Sequence, residues 1–116
     1  MSEKNPRDID HFLANFRAAI IVLSGGARGM EYVLDQRRVS IGRGPGVDLA
    51  LEDPSLVGHH AIFEFCDGGF SLRNLSKEAR ISVNGCPLEA AVLKAEDRFQ
   101  LGSLSFSYLV ESRFSS

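Results

Sequence analysis

From Ala18 onward, short apolar or alternating runs are interrupted by turn-forming residues roughly every 8–12 positions. That rhythm points to an all-β sandwich or barrel. The runs span 18–23, 30–34, 38–42, 48–51, 60–65, 69–74, 80–83, 86–88, 97–101 and 104–110. Phe63 and Phe65, like Phe106 and Tyr108, alternate with the period of a half-buried strand. Asp67-Gly68 and Asn84-Gly85 are the dipeptides of type I′ hairpins, whose two central residues both need positive φ. Gly102-Ser103 suits a type II′ turn with glycine first, and Gly25-Gly26 and Gly29 mark a longer first loop.

The first sixteen residues follow another rule. Ile9, Phe12, Leu13 and Phe16 fall at i, i+3, i+4 and i+7, one stripe of an α-helix, with Asp8 placed to cap it and Pro6 just outside. So short a helix does not persist alone in water. It docks on its own domain, docks on a partner, or stays frayed. The expected organisation is an arm over 1–17, a domain over 18–110, and a tail or linker start over 111–116.

A chain of 116 residues makes one domain, which buries about 65% of the surface its unfolded form exposes. No apolar run approaches the roughly 20 residues of a membrane helix, and the polar first ten residues do not read as a secretory signal. A formal net charge of −2 argues against generic nucleic-acid binding. Two cysteines, Cys66 and Cys86, cannot form a dense disulfide scaffold, and a reducing cytoplasm is the simpler setting. Both are expected to be buried, inert thiols.

Catalysis has little to rest on. His59 and His60 are adjacent, so in a strand their rings point to opposite faces and cannot share a metal. The third histidine, His11, is in the arm, and neither cysteine has a CxxC partner. No serine sits in a nucleophile elbow. Gly42-Arg43-Gly44-Pro45-Gly46 lacks both the GxGxxG spacing and a following helix. The expectation is no enzyme, no metal and no cofactor. Phe63, Phe65, Phe70, Phe99 and Phe106 read as core.

Several small motifs follow one another at defined intervals: Ile41-Gly42-Arg43, Val47-Asp48-Leu49-Ala50-Leu51, Asp53-Pro54-Ser55, His60-Ala61, Asn84-Gly85 and Leu101-Gly102. Over residues 19–110 this order resembles the forkhead-associated (FHA) domain. The resemblance implies a sandwich of two antiparallel sheets, about eleven strands in all, whose loops bind phosphothreonine peptides. It also implies an architectural role for Gly42, His60, Asn84 and Gly85, and a peptide or phosphate contact for Arg43.

Residue by residue, the phosphate grip departs from the family pattern. With the family's histidine at His60, its serine slot falls on Val57 and its arginine slot on Gly58. In the second binding loop, Asn74-Leu75-Ser76-Lys77-Glu78-Ala79-Arg80-Ile81-Ser82-Val83-Asn84-Gly85, Lys77 takes a serine slot. Glu78 takes the next slot, Ala79 the asparagine slot and Arg80 a glycine slot. Alanine has no donor or acceptor for a peptide main chain. Hydrogen bonds to a charged group contribute about 1.5–3 kcal/mol each, so losing two hydroxyls and one amide costs about 4–7 kcal/mol. A module binding near 1 μM, on the order of −8 kcal/mol, would fall to the millimolar range or weaker.

The expected function is therefore a non-enzymatic protein–protein interaction module in cytoplasmic signalling or assembly, with conventional phosphothreonine recognition lost at Val57, Gly58, Lys77, Glu78 and Ala79. Two alternatives stay open. Arg43, Lys77 and Arg80 would form a substituted site for a phosphothreonine peptide or another anion. Or the arm and sheet faces would mediate structural self-assembly. The partner is a protein, phosphorylated or not, with no nucleic acid and no membrane insertion. The resemblance also implies relatives in bacterial secretion rings and on larger signalling proteins. The sequence contains no threonine, so any phosphothreonine comes from outside these residues.

Overall fold

A computed structural model describes residues 9–66 and 68–114. One helix, α1 (Ile9–Asn15), precedes eleven strands. These are β1 (Phe16–Val22), β2 (Glu31–Val33), β3 (Arg38–Gly42), β4 (Leu49–Ala50), β5 (Ala61–Cys66), β6 (Gly69–Asn74), β7 (Ile81–Val83), β8 (Cys86–Pro87), β9 (Ala90–Val92), β10 (Arg98–Leu101) and β11 (Leu104–Ser112). Six form one sheet in the order β2-β1-β11-β10-β7-β8, and five form the other in the order β4-β3-β5-β6-β9. Only the short β3–β4 pair among these is parallel.

Alternation puts the core where the sequence implies. β10 buries Phe99 and Leu101 and exposes Arg98 and Gln100, and its register sets Phe99 opposite Phe106. Those two rings stack at 5.0 Å, and Phe63 of the other sheet meets Phe99 edge-on at 5.7 Å. Each fully buried phenylalanine contributes on the order of 1.5–3 kcal/mol of burial free energy, and the ring geometry adds a little more. Asn84 and Gly85 have φ of 50° and 86°, and Gly102 has φ of 60°, as their turns require. Asp67 of the other expected hairpin lies outside the described residues.

Four expectations need correction. β9 carries no alternation in Ala90-Ala91-Val92, and forms because β6 offers it a register: Leu72 opposite Ala91. His59 and His60 precede β5 in a turn rather than lying in a strand. Phe65 is half-buried, its ring at the margin of the core between Phe70, at 5.5 Å, and Phe12 of the arm, at 5.3 Å. Cys66 and Cys86 are both exposed. Cys66 follows Phe63 and Phe65 on the outward parity of β5, and Cys86 occupies a two-residue edge strand.

The arm packs on the sandwich. Phe12 is 3% exposed, its ring 5.3 Å from those of Phe16 and Phe65 and 6.0 Å from that of Phe70. The chain's other end holds α1 in place. The Arg113 guanidinium donates to the Leu13 carbonyl at 2.7 Å, and the Arg113 N–H donates to the Asn15 carbonyl at 2.9 Å. Cations at a helix C-terminus satisfy carbonyls that have no partner within the helix. Phe16 belongs to β1 and is 38% exposed, so the expected stripe is buried only at Ile9, Phe12 and, in part, Leu13. The expected cap, Asp8, and Pro6 lie outside the described residues. Among the described residues no helix is long and apolar enough to cross a membrane.

Candidate functional site

The loops after β3, before β5, after β6 and between β10 and β11 converge on one end of the sandwich. Backbone bonds join them: Arg43 N–H to the Val57 carbonyl at 3.0 Å, Leu75 N–H to the His60 carbonyl at 3.1 Å, and Gly102 N–H to the Arg80 carbonyl at 3.1 Å. Gly42 sits where these loops pass closest. A Cβ there would lie 2.0 Å from the Gly58 carbonyl oxygen and 2.9 Å from that of Val57. No side chain fits that space.

His60 is the hub. It is the buried polar residue among the core residues described, 1% exposed. Its Nδ1 accepts from the Val57 N–H at 3.2 Å, and its Nε2 lies 2.9 Å from the Arg80 carbonyl. A carbonyl can only accept, so the network assigns the proton to Nε2 of a neutral ring. One side chain thus ties the loop before β5 to the loop before β7.

A second tie comes from the Asp53-Pro54-Ser55 motif. Asp53 Oδ1 accepts from the Ser55 N–H at 2.9 Å and the Ser55 hydroxyl at 2.7 Å. The Ser55 Oγ in turn accepts from the Ser103 N–H at 2.9 Å. The Asp-x-Ser spacing is the signal that marks such a turn. The Ser55 hydroxyl and N–H hold the Asp53 carboxyl below its usual 3.8, with a smaller contribution from the charge of Arg43. A lowered folded value means the stabilisation is complete above pH 3.8 and is lost as pH falls through that lowered value. The difference in urea midpoint between the wild type and Asp53→Asn is therefore expected at pH 7 and should shrink steadily as the pH falls below 3.8. An offset that survives at low pH would assign the effect to shape rather than charge.

The positions of the expected phosphate grip are placed as follows. Val57 is half-buried, Gly58 is exposed, and a Cβ added at Gly58 meets open space. Lys77 and Glu78 are exposed. Ala79 is 6% exposed, and its carbonyl accepts from the Asn74 amide at 3.0 Å. Asn74 also accepts from the Ser76 N–H at 3.2 Å, and the Ser76 hydroxyl accepts from the Glu78 N–H at 3.2 Å. The loop is therefore held by its own side chains.

Lys77 and Arg80 line one hollow of about 510 Å³, together with Glu78 and Glu89. Two cations facing two carboxylates leave no net formal charge there. Arg43 does not line that hollow; its charge is felt by Asp53 instead. Asn84 and Gly85 lie at the other end of β7. The Asn84 amide donates to Asp97 Oδ1 at 3.0 Å, and its Oδ1 accepts from the Arg98 N–H at 3.0 Å. Among the described residues, no three His, Cys, Asp or Glu side chains form a metal-binding group.

A two-sheet sandwich of these eleven strands, its loops gathered at one end around a buried histidine, is the fold of a forkhead-associated domain. Solved structures align with it closely. The FHA domain of CT664 from Chlamydia trachomatis superimposes with a TM-score of 0.73 at 24% identity, over 80% of this chain and 96% of that one. Within that fold the chain belongs to the family described as "Inner membrane component of T3SS, cytoplasmic domain", which matches residues 21–112.

The cytoplasmic domain of the T3SS sorting platform protein PscD from P. aeruginosa aligns with a TM-score of 0.71 and 25% identity, over 85% of this chain and 82% of that one. Among curated relatives, the glycogen accumulation regulator GarA of Mycolicibacterium smegmatis is 32% identical over 92 residues. That match takes in 79% of this chain but only 58% of GarA's own length.

Proposed function

We propose that this domain holds a cytoplasmic partner protein by surface complementarity at its loop end, without gripping a phosphate. One observation carries the reading: Ala79, in the slot where FHA relatives place the asparagine that holds the peptide main chain, is buried and has no polar atom on its side chain. The neighbouring slots agree. Val57 offers an isopropyl group where a hydroxyl is needed, and Gly58 offers no cation. The substituted basic site is disfavoured because Glu78 and Glu89 line the same hollow as Lys77 and Arg80, and Arg43 does not line it. The family match favours a role in a multi-protein assembly over the regulation of a single enzyme. Assignment of Gly42 and His60 as the architectural pair of the loop end belongs to the same reading.

Calorimetric titration with a degenerate phosphothreonine library, beside its unphosphorylated twin, tests this directly. Phosphate-dependent binding is expected to be no tighter than the millimolar range. Micromolar binding that needs the phosphate and weakens in Arg43→Ala would refute the reading. It would also restore phosphothreonine recognition as the function. Val57→Ser combined with Gly58→Arg, where the new side chain at 58 meets open space, is expected to gain phosphate-dependent affinity by roughly tenfold or more.

A further inference from the structure

The two sheets leave an opening on one side of the sandwich, between edge strand β2 of the six-stranded sheet and edge strand β4 of the five-stranded sheet. The β1–β2 loop roofs it. Together they enclose a hollow of about 370 Å³. This is near the small end of ligand pockets, closer to one long side chain than to a drug-sized molecule. Leu51 and Leu104 form a buried apolar floor, and half-buried Tyr32 and Ala27 form walls. Glu52 and Asp53 stand at the rim.

The two oxygens of Asp53 have separate duties. Oδ1 is taken by Ser55, whereas Oδ2 faces the roof loop, 3.6 Å from where a Cβ on Gly25 would lie. Glu52 is exposed and makes no ion pair or hydrogen bond among the described residues. Arg43, whose charge reaches Asp53, does not line the hollow. An apolar slot with an aromatic wall and carboxylates at its mouth matches one side chain well. Arginine lays its methylene stem on apolar surface and its planar guanidinium against an aromatic face or a carboxylate.

We infer that this opening is a socket for an arginine side chain of a partner polypeptide. It is separate from the loop-tip positions that bear on phosphate, so either assignment can fail without the other. Lysine fits less well, since an ammonium is a compact, strongly hydrated charge without a planar face.

The test is a nuclear magnetic resonance titration of the full chain with N-acetyl-arginine N-methylamide, read at the methyl groups of Ala27, Leu51 and Leu104. The neutral, near-isosteric citrulline derivative serves as control. Saturable shifts with a Kd on the order of 1–10 mM are expected for a ligand this small, with citrulline at least about fivefold weaker. Glu52→Gln, an exposed substitution that leaves the fold intact, is expected to weaken arginine binding about two- to fivefold. Ala27→Leu, which fills the hollow, should abolish the shifts. Equal responses to arginine and citrulline, no saturation, or indifference to Glu52→Gln would overturn the assignment whether or not Ala27→Leu folds.

Discussion

Gly42→Ala is expected to lower the unfolding free energy by roughly 3 kcal/mol or more, measured by urea denaturation at pH 7. The cause is space and not backbone angle. The added methyl would stand 2.0 Å from the Gly58 carbonyl oxygen, and the obstructing atoms are backbone, which cannot swing aside as a side-chain tip can. Relief requires the strand end and the loop before β5 to separate. That separation breaks the bonds from Arg43 and Gly44 to the Val57 and Gly58 carbonyls, at 3.0 and 3.3 Å. Gly58→Ala makes the control: a Cβ there meets nothing within 4 Å, so it should cost far less. If both variants melt alike, the close approach at Gly42 is not what holds the loop end together.

His60→Ala is expected to cost about 3–5 kcal/mol. The Val57 N–H loses its partner inside the protein, and an unsatisfied buried group costs on the order of 1–3 kcal/mol, while the Arg80 carbonyl is left with the Gly102 N–H alone. The vacated ring volume adds a cavity contribution. Amide exchange separates the local effect from the global one. The Val57 N–H bonds to His60 itself, so its protection should collapse first. Gly102, whose N–H donates to the Arg80 carbonyl, should follow as the second loop loosens. A loss below about 1 kcal/mol would mean that water replaces the ring and that His60 is not the hub.

Strand faces were open to inspection in the chain itself. Period-two alternation places Phe63, Phe99 and Phe106 inside without reference to any distant residue. The positive φ demanded at Asn84, Gly85 and Gly102 is a property of two or three consecutive residues. The order of the short loop motifs was readable for the same reason, since each is a local sequence. Cys66 was readable too: alternation from Phe63 and Phe65 puts it outward, and the usual burial of free cysteine misled.

Side-chain partnerships were not legible in this way. That Ser55 joins Asp53 to Ser103, that Lys77 and Arg80 share a hollow with Glu78 and Glu89, and that His60 reaches the Arg80 carbonyl twenty residues on all depend on which loops the sandwich brings side by side. Docking of Phe12 depended likewise on Phe65 and Phe70 leaving room at the edge of the core.

The chain alone therefore determined an all-β sandwich, its turns and most of its core, because backbone preference and side-chain alternation act over a few residues. Only the tertiary structure decided the burial of Ala79, which loop charges share a hollow, the ninth strand and the opening between β2 and β4. Those follow from register and packing between segments far apart in sequence, and no local pattern encodes them.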